Sequence, residues 1–140
     1  MKVVLDADIV IGALDGDDPH HAHTRTLFRG WRRRGASLLI SVVNLTEALV
    51  APAAERQRLR AAREAIAALG VAIHQPTETI AVAAARFRGI HPISLPDAYC
   101  LATARFAGAE LASFDESLLR AAEREGIAVA ARAGKSPRGG

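Results

Sequence analysis

Five acidic residues stand in this chain where a charge is expensive. Asp6 and Asp8 interrupt VVLDADIV, Glu47 lies in SVVNLTEALV, Asp97 in ISLPDAYCLA and Asp115 in ASFDESLL. An ionised carboxylate among apolar residues is costly unless something compensates it. Several such groups gathered in one place raise one another's pKa unless a cation holds them ionised. A donor set of Asp and Glu oxygens, without His or Cys, suits magnesium or manganese better than zinc. An ion held in that way can activate water and bind a phosphate oxygen, which is the chemistry of nucleases.

Taken singly, most of these acids have plainer uses. Ser94 with Asp97, and Ser113 with Glu116, have the spacing of capping boxes, and Asp115 or Asp8 is itself a fitting N-cap. Glu47 differs. Its segment VVNLTEALVA is apolar nearly all round and has no Lys or Arg within a turn, so the pattern predicts a buried acid whose partner comes from elsewhere.

The elements that must position these residues are legible as an alternation. Short apolar runs, KVVL, SLLIS, GVAIH, AELAS and GIAVA, each precede a segment of helical period. The pattern predicts helices over 9–14, 20–34, 42–51, 53–69, 77–88, 96–107 and 116–125. Pro52 separates the third from the fourth, Gly70 and Gly108 sit where helix-ending glycines belong, and DGDDP is a loop. Such a rhythm builds an α/β fold with a mainly parallel sheet between helical layers, and ligands gather at the carboxyl ends of its strands. Asp6 and Asp115 then fall at that edge, and Glu47 and Asp97 in the first turns of helices.

The 140 residues, half of them apolar, suit one domain over 1–130, with ARAGKSPRGG (131–140) as a disordered basic tail. No apolar run is long enough to span a bilayer, and MKVVLDADI lacks the features of a signal peptide, so the expected location is the cytoplasm. Cys100, the single cysteine, forms no internal disulfide and reads as a packed thiol. Net charge is +3, with arginine supplying 16 of the 18 basic residues in clusters such as RGWRRRG and ERQRLRAAR. That distribution suits a polyanionic partner, or simply solvated helix faces. Aromatics at 4% make base stacking on an aromatic platform a poor expectation.

VVLDADIVIGAL, SVVNLTEAL, LPDAYCLATA and LASFDESLLRAA, in that order, resemble the four acidic motifs of the PIN-domain family, and within it the VapC-type toxins of bacterial toxin–antitoxin pairs. The resemblance spans almost the whole chain. It implies a PIN-like three-layer α/β/α sandwich, and a Mg2+- or Mn2+-dependent endoribonuclease that hydrolyses RNA with a metal-activated water. It further implies a homodimer and silencing by a small antitoxin protein. Carried over, the acidic quartet is Asp6, Glu47, Asp97 and Asp115, with Asp6, Asp97 and Asp115 on the metal and Glu47 holding water or a second ion. Ser113 matches a position beside the site where the family commonly has Thr or Ser. Two positions depart from the pattern. Asp8 stands where relatives usually have Ser, Thr or Asn, and either adds a ligand contact or caps a helix; Asn44 stands where a small hydroxyl residue is frequent, which leaves its role open.

Two readings compete. An apolar strand followed by DxD also opens haloacid-dehalogenase-like phosphatases, with Asp6 as nucleophile and Ser41 as the second motif, but the only lysines are Lys2 and Lys135. A receiver domain lacks the same lysine. The other reading is a non-catalytic PIN-like domain that binds RNA or protein. His20, His21 and His23, beside Asp17 and Asp18, form a second metal candidate or a solvated helix start. His74 and His91 read as structural, and Trp31 as a packing anchor. The apolar stripes of the second and fourth helices either form the antitoxin groove or face the core.

Overall fold

The apolar run after Met1 becomes the centre of the molecule. In the computed structural model, which describes residues 1–131, β1 (Lys2–Leu5) is the middle strand of a five-stranded sheet ordered β3-β2-β1-β4-β5. The others are β2 (Ser37–Ser41), β3 (Val71–His74), β4 (Glu110–Ala112) and β5 (Val129–Ala131), and every pairing is parallel. Strands covered on both faces need apolar residues at successive positions, which is why KVVL and SLLIS read as unbroken runs.

Side chains alternate across the sheet. Val4 and Leu111 point into a core shared with α5 (Glu78–Ile90), α6 (Leu95–Ala107) and α7 (Glu116–Arg124). Val3, Leu5, Leu38 and Ile40 point the other way, toward α1 (Ala7–Leu14), α2 (His21–Arg33), α3 (Val42–Leu49) and α4 (Arg56–Ala68). The result is the α/β/α sandwich the sequence predicts. Trp31 is fully buried and meets Phe28 edge-on at 5.2 Å, the anchoring role expected of it.

Several boundaries differ from the sequence reading. The first helix begins at Ala7 rather than residue 9, because Asp6 and not Asp8 is its N-cap. The third ends at Leu49, and Pro52 opens a single 3₁₀ turn (Pro52–Ala54) before α4 starts at Arg56. Gly70 and Gly108 do turn the chain out of helices, with φ of 78° and 63°. Of the expected basic tail, Ala131 closes β5 and 132–140 lie outside the described residues.

Because all five strands run the same way, Asp6 and Ser113, directly after β1 and β4, and Ser41, the last residue of β2, stand at one edge of the sheet. The acids must meet there, if they meet at all.

Candidate active site

Asp6 leaves β1 with its N–H still donating to the Ala112 carbonyl (2.9 Å), so the backbone ladder fixes where its side chain starts. Its Oδ1 accepts from the Ala7 N–H (2.7 Å), and its Oδ2 accepts from the Ser113 hydroxyl (2.7 Å). Ser113 is fully buried and also accepts from the Asp115 N–H (3.0 Å), so one hydroxyl ties β1 to the start of α7. Asp115, not Ser113, caps α7 by accepting from the Leu118 N–H; the Ser113–Glu116 capping box is not formed, because that hydroxyl is already engaged.

Asp8 lies in the first turn of α1 and its Oδ2 accepts from the Phe114 N–H (2.9 Å). Its Oδ1 is buried and has no protein partner. Asp97 sits one turn into α6, where Ser94 caps the helix as the spacing predicts, accepting from the Asp97 N–H at 3.2 Å. Glu47 corrects the sequence reading: it is exposed, in the second turn of α3. An apolar helix against a sheet still leaves one flank free, and Glu47 is on that flank.

Asp6, Asp8, Glu47, Asp97 and Asp115 line a single pocket of about 520 Å³, together with Ile11, Ser94 and the Pro92–Ile93 turn. Burial pushes the Asp6 carboxyl up to about 7, helped by repulsion from Asp8 and opposed by the Ser113 and Ala7 hydrogen bonds. Burial likewise raises Asp8 to about 6, against the pull of the Phe114 N–H, with Asp115 and Asp97 adding repulsion. Asp97 rises to about 7, through burial first and then the charges of Asp6 and Asp115. Among the described residues, no three His, Cys, Asp or Glu side chains are arranged to hold a metal ion as they stand. Like-charge repulsion is a sufficient reason for acids that share a pocket to stand apart. In donor chemistry the pocket does fit a hard divalent cation. Its ligating groups are all oxygens, one of them the orphaned Asp8 Oδ1, and three of its acids are strained toward protonation in a way that positive charge would relieve.

The histidine cluster divides among other partners. His20 stacks on Phe114 at 4.2 Å, His23 tilts over the same ring, and His21 donates from Nδ1 to the Gly12 carbonyl, the only role that nitrogen can take toward an acceptor. Phe114 was not singled out by the sequence, yet its N–H holds Asp8 and its ring carries His20. His91 is buried against Glu125 (2.7 Å) and His74 meets Phe106 edge-on. Cys100 is fully buried, and burial raises its thiol pKa well above the usual value.

A second cleft, of about 590 Å³, opens between α2 and the end of α4. Its floor includes Ala13, Phe28, Leu38 and Leu69; Arg25, Arg29 and Arg32 line it, and no acid does.

No curated protein sequence matches the chain. Among solved structures it is similar to a toxin–antitoxin complex from Klebsiella pneumoniae (TM-score 0.68, 22% identity, covering 82% of this chain and 88% of that one). It is also similar to VapC20 of Mycobacterium tuberculosis, a Sarcin-Ricin loop cleaving toxin (0.71, 17%, 85% and 94%). A third is VapBC2 from Rickettsia felis, bound to a DNA fragment from its promoter (0.70, 12%, 94% and 98%). At such identities the likeness is one of fold. The sequence pattern of the PIN domain matches residues 3–124, nearly the full length of the sandwich and every acid in its pocket, and the chain belongs to the PIN domain family.

Proposed function

We infer that this PIN domain is a Mg2+- or Mn2+-dependent endoribonuclease, the toxin of a type II toxin–antitoxin pair. The observation that carries the reading is the convergence of five acids, from four separate segments, on one pocket at the carboxyl edge of a parallel sheet. Asp6, Asp97 and Asp115 are the residues that would hold the ion, with the free Asp8 Oδ1 as a further donor. Bound there, a divalent cation supplies positive charge for a phosphodiester oxygen and lowers the pKa of water.

The chain's own residues do the rest. Ser113 holds Asp6 with a hydrogen bond that favours its ionised form and partly opposes the rise caused by burial. Glu47, exposed at the pocket margin, orients the attacking water and accepts its proton. Attack by water leaves a 5′-phosphate and a 3′-hydroxyl, with no call on the ribose 2′-hydroxyl. Surface arginines bind the RNA backbone without selecting its sequence.

Other structures of this fold are toxin–antitoxin complexes, which supports an antitoxin as partner. The arginine-lined cleft between α2 and α4 suits an amphipathic segment with acidic side chains along one edge. No helix among the described residues is long and apolar enough to cross a membrane, and a cytoplasmic site of action fits a toxin whose substrate is RNA. The phosphatase alternative is disfavoured by its missing lysine: Lys2 reaches the Ala107 carbonyl rather than the pocket.

The test is Asp97→Asn. Expression of the unsubstituted protein should stop growth, and the purified protein should cut RNA with Mg2+ or Mn2+ but not with EDTA. The substituted protein should remain folded and lose both. Undiminished cutting by Asp97→Asn would refute the site. RNA binding without cleavage would favour a non-catalytic domain, and phosphate release from small phosphomonoesters with RNA left intact would favour the phosphatase.

A further inference from the structure

Asn44 is fully buried although polar, and it sits where α3 meets α6. Its Nδ2 lies 3.1 Å from the Pro96 carbonyl and 3.4 Å from Glu47 Oε1, while its Oδ1 has no partner. Both neighbours are acceptors only, so the NH2 end must face them, and its two hydrogens serve one acceptor each. The buried oxygen has lost its hydration without compensation. Leucine, of nearly the same shape, would fill the space without that loss, so stability alone does not account for asparagine here.

What asparagine can do and leucine cannot is hold two acceptors on two elements at once. Glu47 is three residues along α3, and Pro96 immediately precedes Asp97 on α6. We propose that Asn44 is a positioning residue: its amide forks between Glu47 and the Pro96 carbonyl, and so sets the spacing of the α3 and α6 carboxylates for a divalent cation. This rests on the metal-site reading above. It also accounts for an asparagine at a position where a shorter hydroxyl could not span both acceptors.

The experiment is a double-mutant cycle on the full chain, read by Mn2+ titration with electron paramagnetic resonance and by RNA cleavage. Asn44→Leu should melt no lower than the unsubstituted protein and bind Mn2+ about tenfold more weakly, the scale on which residues supporting metal ligands act. Glu47→Ala, which removes the acceptor as well as the charge, should weaken binding comparably, and the double variant little further, because the Asn44–Glu47 contact is lost in both single variants. If Asn44→Leu does not fold, Asn44→Ala carries the same measurements. Mn2+ binding unchanged by loss of the Asn44 amide overturns the proposal, as does a double variant whose losses multiply. Mn2+ binding with the expected cycle but no RNA cleavage sinks the ribonuclease and leaves the positioning role standing. RNA cleavage untouched by either Asn44 variant does the reverse, and no Mn2+ binding by the unsubstituted protein removes both.

Discussion

Asp6, Asp8 and Asp97 favour their protonated forms at pH values where a free aspartate is fully ionised, with pKa values near 7, 6 and 7. The consequence for stability has a definite sign. A carboxyl whose folded pKa exceeds its unfolded value binds more protons in the folded state, so stability falls as pH rises between the two values. Protein in EDTA should therefore lose melting temperature from about pH 4 to about pH 7, opposite to the behaviour of salt-bridged carboxylates. Mg2+ or Mn2+ should raise the melting temperature more at the upper end of that window, where the ligands are ionised. Thermal unfolding across the window checks both points, and a flat or rising curve in EDTA would contradict the electrostatic picture. Asp6 was legible in the sequence because a charge directly after an apolar strand has few uses. The exposure of Glu47 was not. Counting apolar residues around an isolated helix cannot tell which flank the sheet leaves bare, and no local pattern tells that Asp8 spends one oxygen on Phe114 and keeps the other free.

At the scale of elements, the site depends on how α1 is seated, because α1 carries Asp8 and is capped by Asp6. Gly12 packs tightly against α2: a Cβ there would lie 2.8 Å from Thr24 Cγ2. Thr24 cannot yield, since it is fully buried and its hydroxyl is committed to the His21 carbonyl at 2.8 Å. Alanine is the better helix former by about 1 kcal/mol. Overpacking a core contact nevertheless costs about 1–3 kcal/mol, so Gly12→Ala should come out destabilised. Urea unfolding measures the difference, and a stabilised variant would show that α1 and α2 are free to separate. Ser113→Ala works on the next junction. Losing a hydroxyl that bridges Asp6 and the Asp115 N–H should cost about 1–3 kcal/mol. It should also raise the proton affinity of Asp6 further, which carbon-detected NMR titration of that carboxyl would read. The strands and most helices were legible because their apolar runs answer to one local rule. The start of α1 was not, because the Asp8 carboxylate is claimed by the Phe114 N–H across the sheet; for α7 the sequence offered both Ser113 and Asp115 as caps, and the Ser113 hydroxyl is spent on Asp6.

Over the whole molecule, the charge is sorted more sharply than a net +3 suggests. Five carboxylates face one pocket, while Arg25, Arg29 and Arg32 line a cleft that holds no acid. The sequence left open whether the stripes of α2 and α4 face the core or a partner; the structure packs both into the core, and Phe28, buried against Trp31, also borders the open cleft. The pocket and the cleft share no lining residue, so occupancy of the cleft and chemistry in the pocket are separable by mutation. Arg25→Glu combined with Arg29→Glu places like charge against an acidic partner, which costs several kcal/mol and acts most strongly at low salt. On the toxin reading, the double variant should cut RNA as the unsubstituted protein does. It should escape inhibition by the protein of an adjacent, co-transcribed reading frame, with at least about a tenfold loss of affinity in a pull-down or titration at low salt. Inhibition retained at full strength would place the partner elsewhere, whereas loss of RNA cutting would show that the cleft lies on the path of the RNA itself.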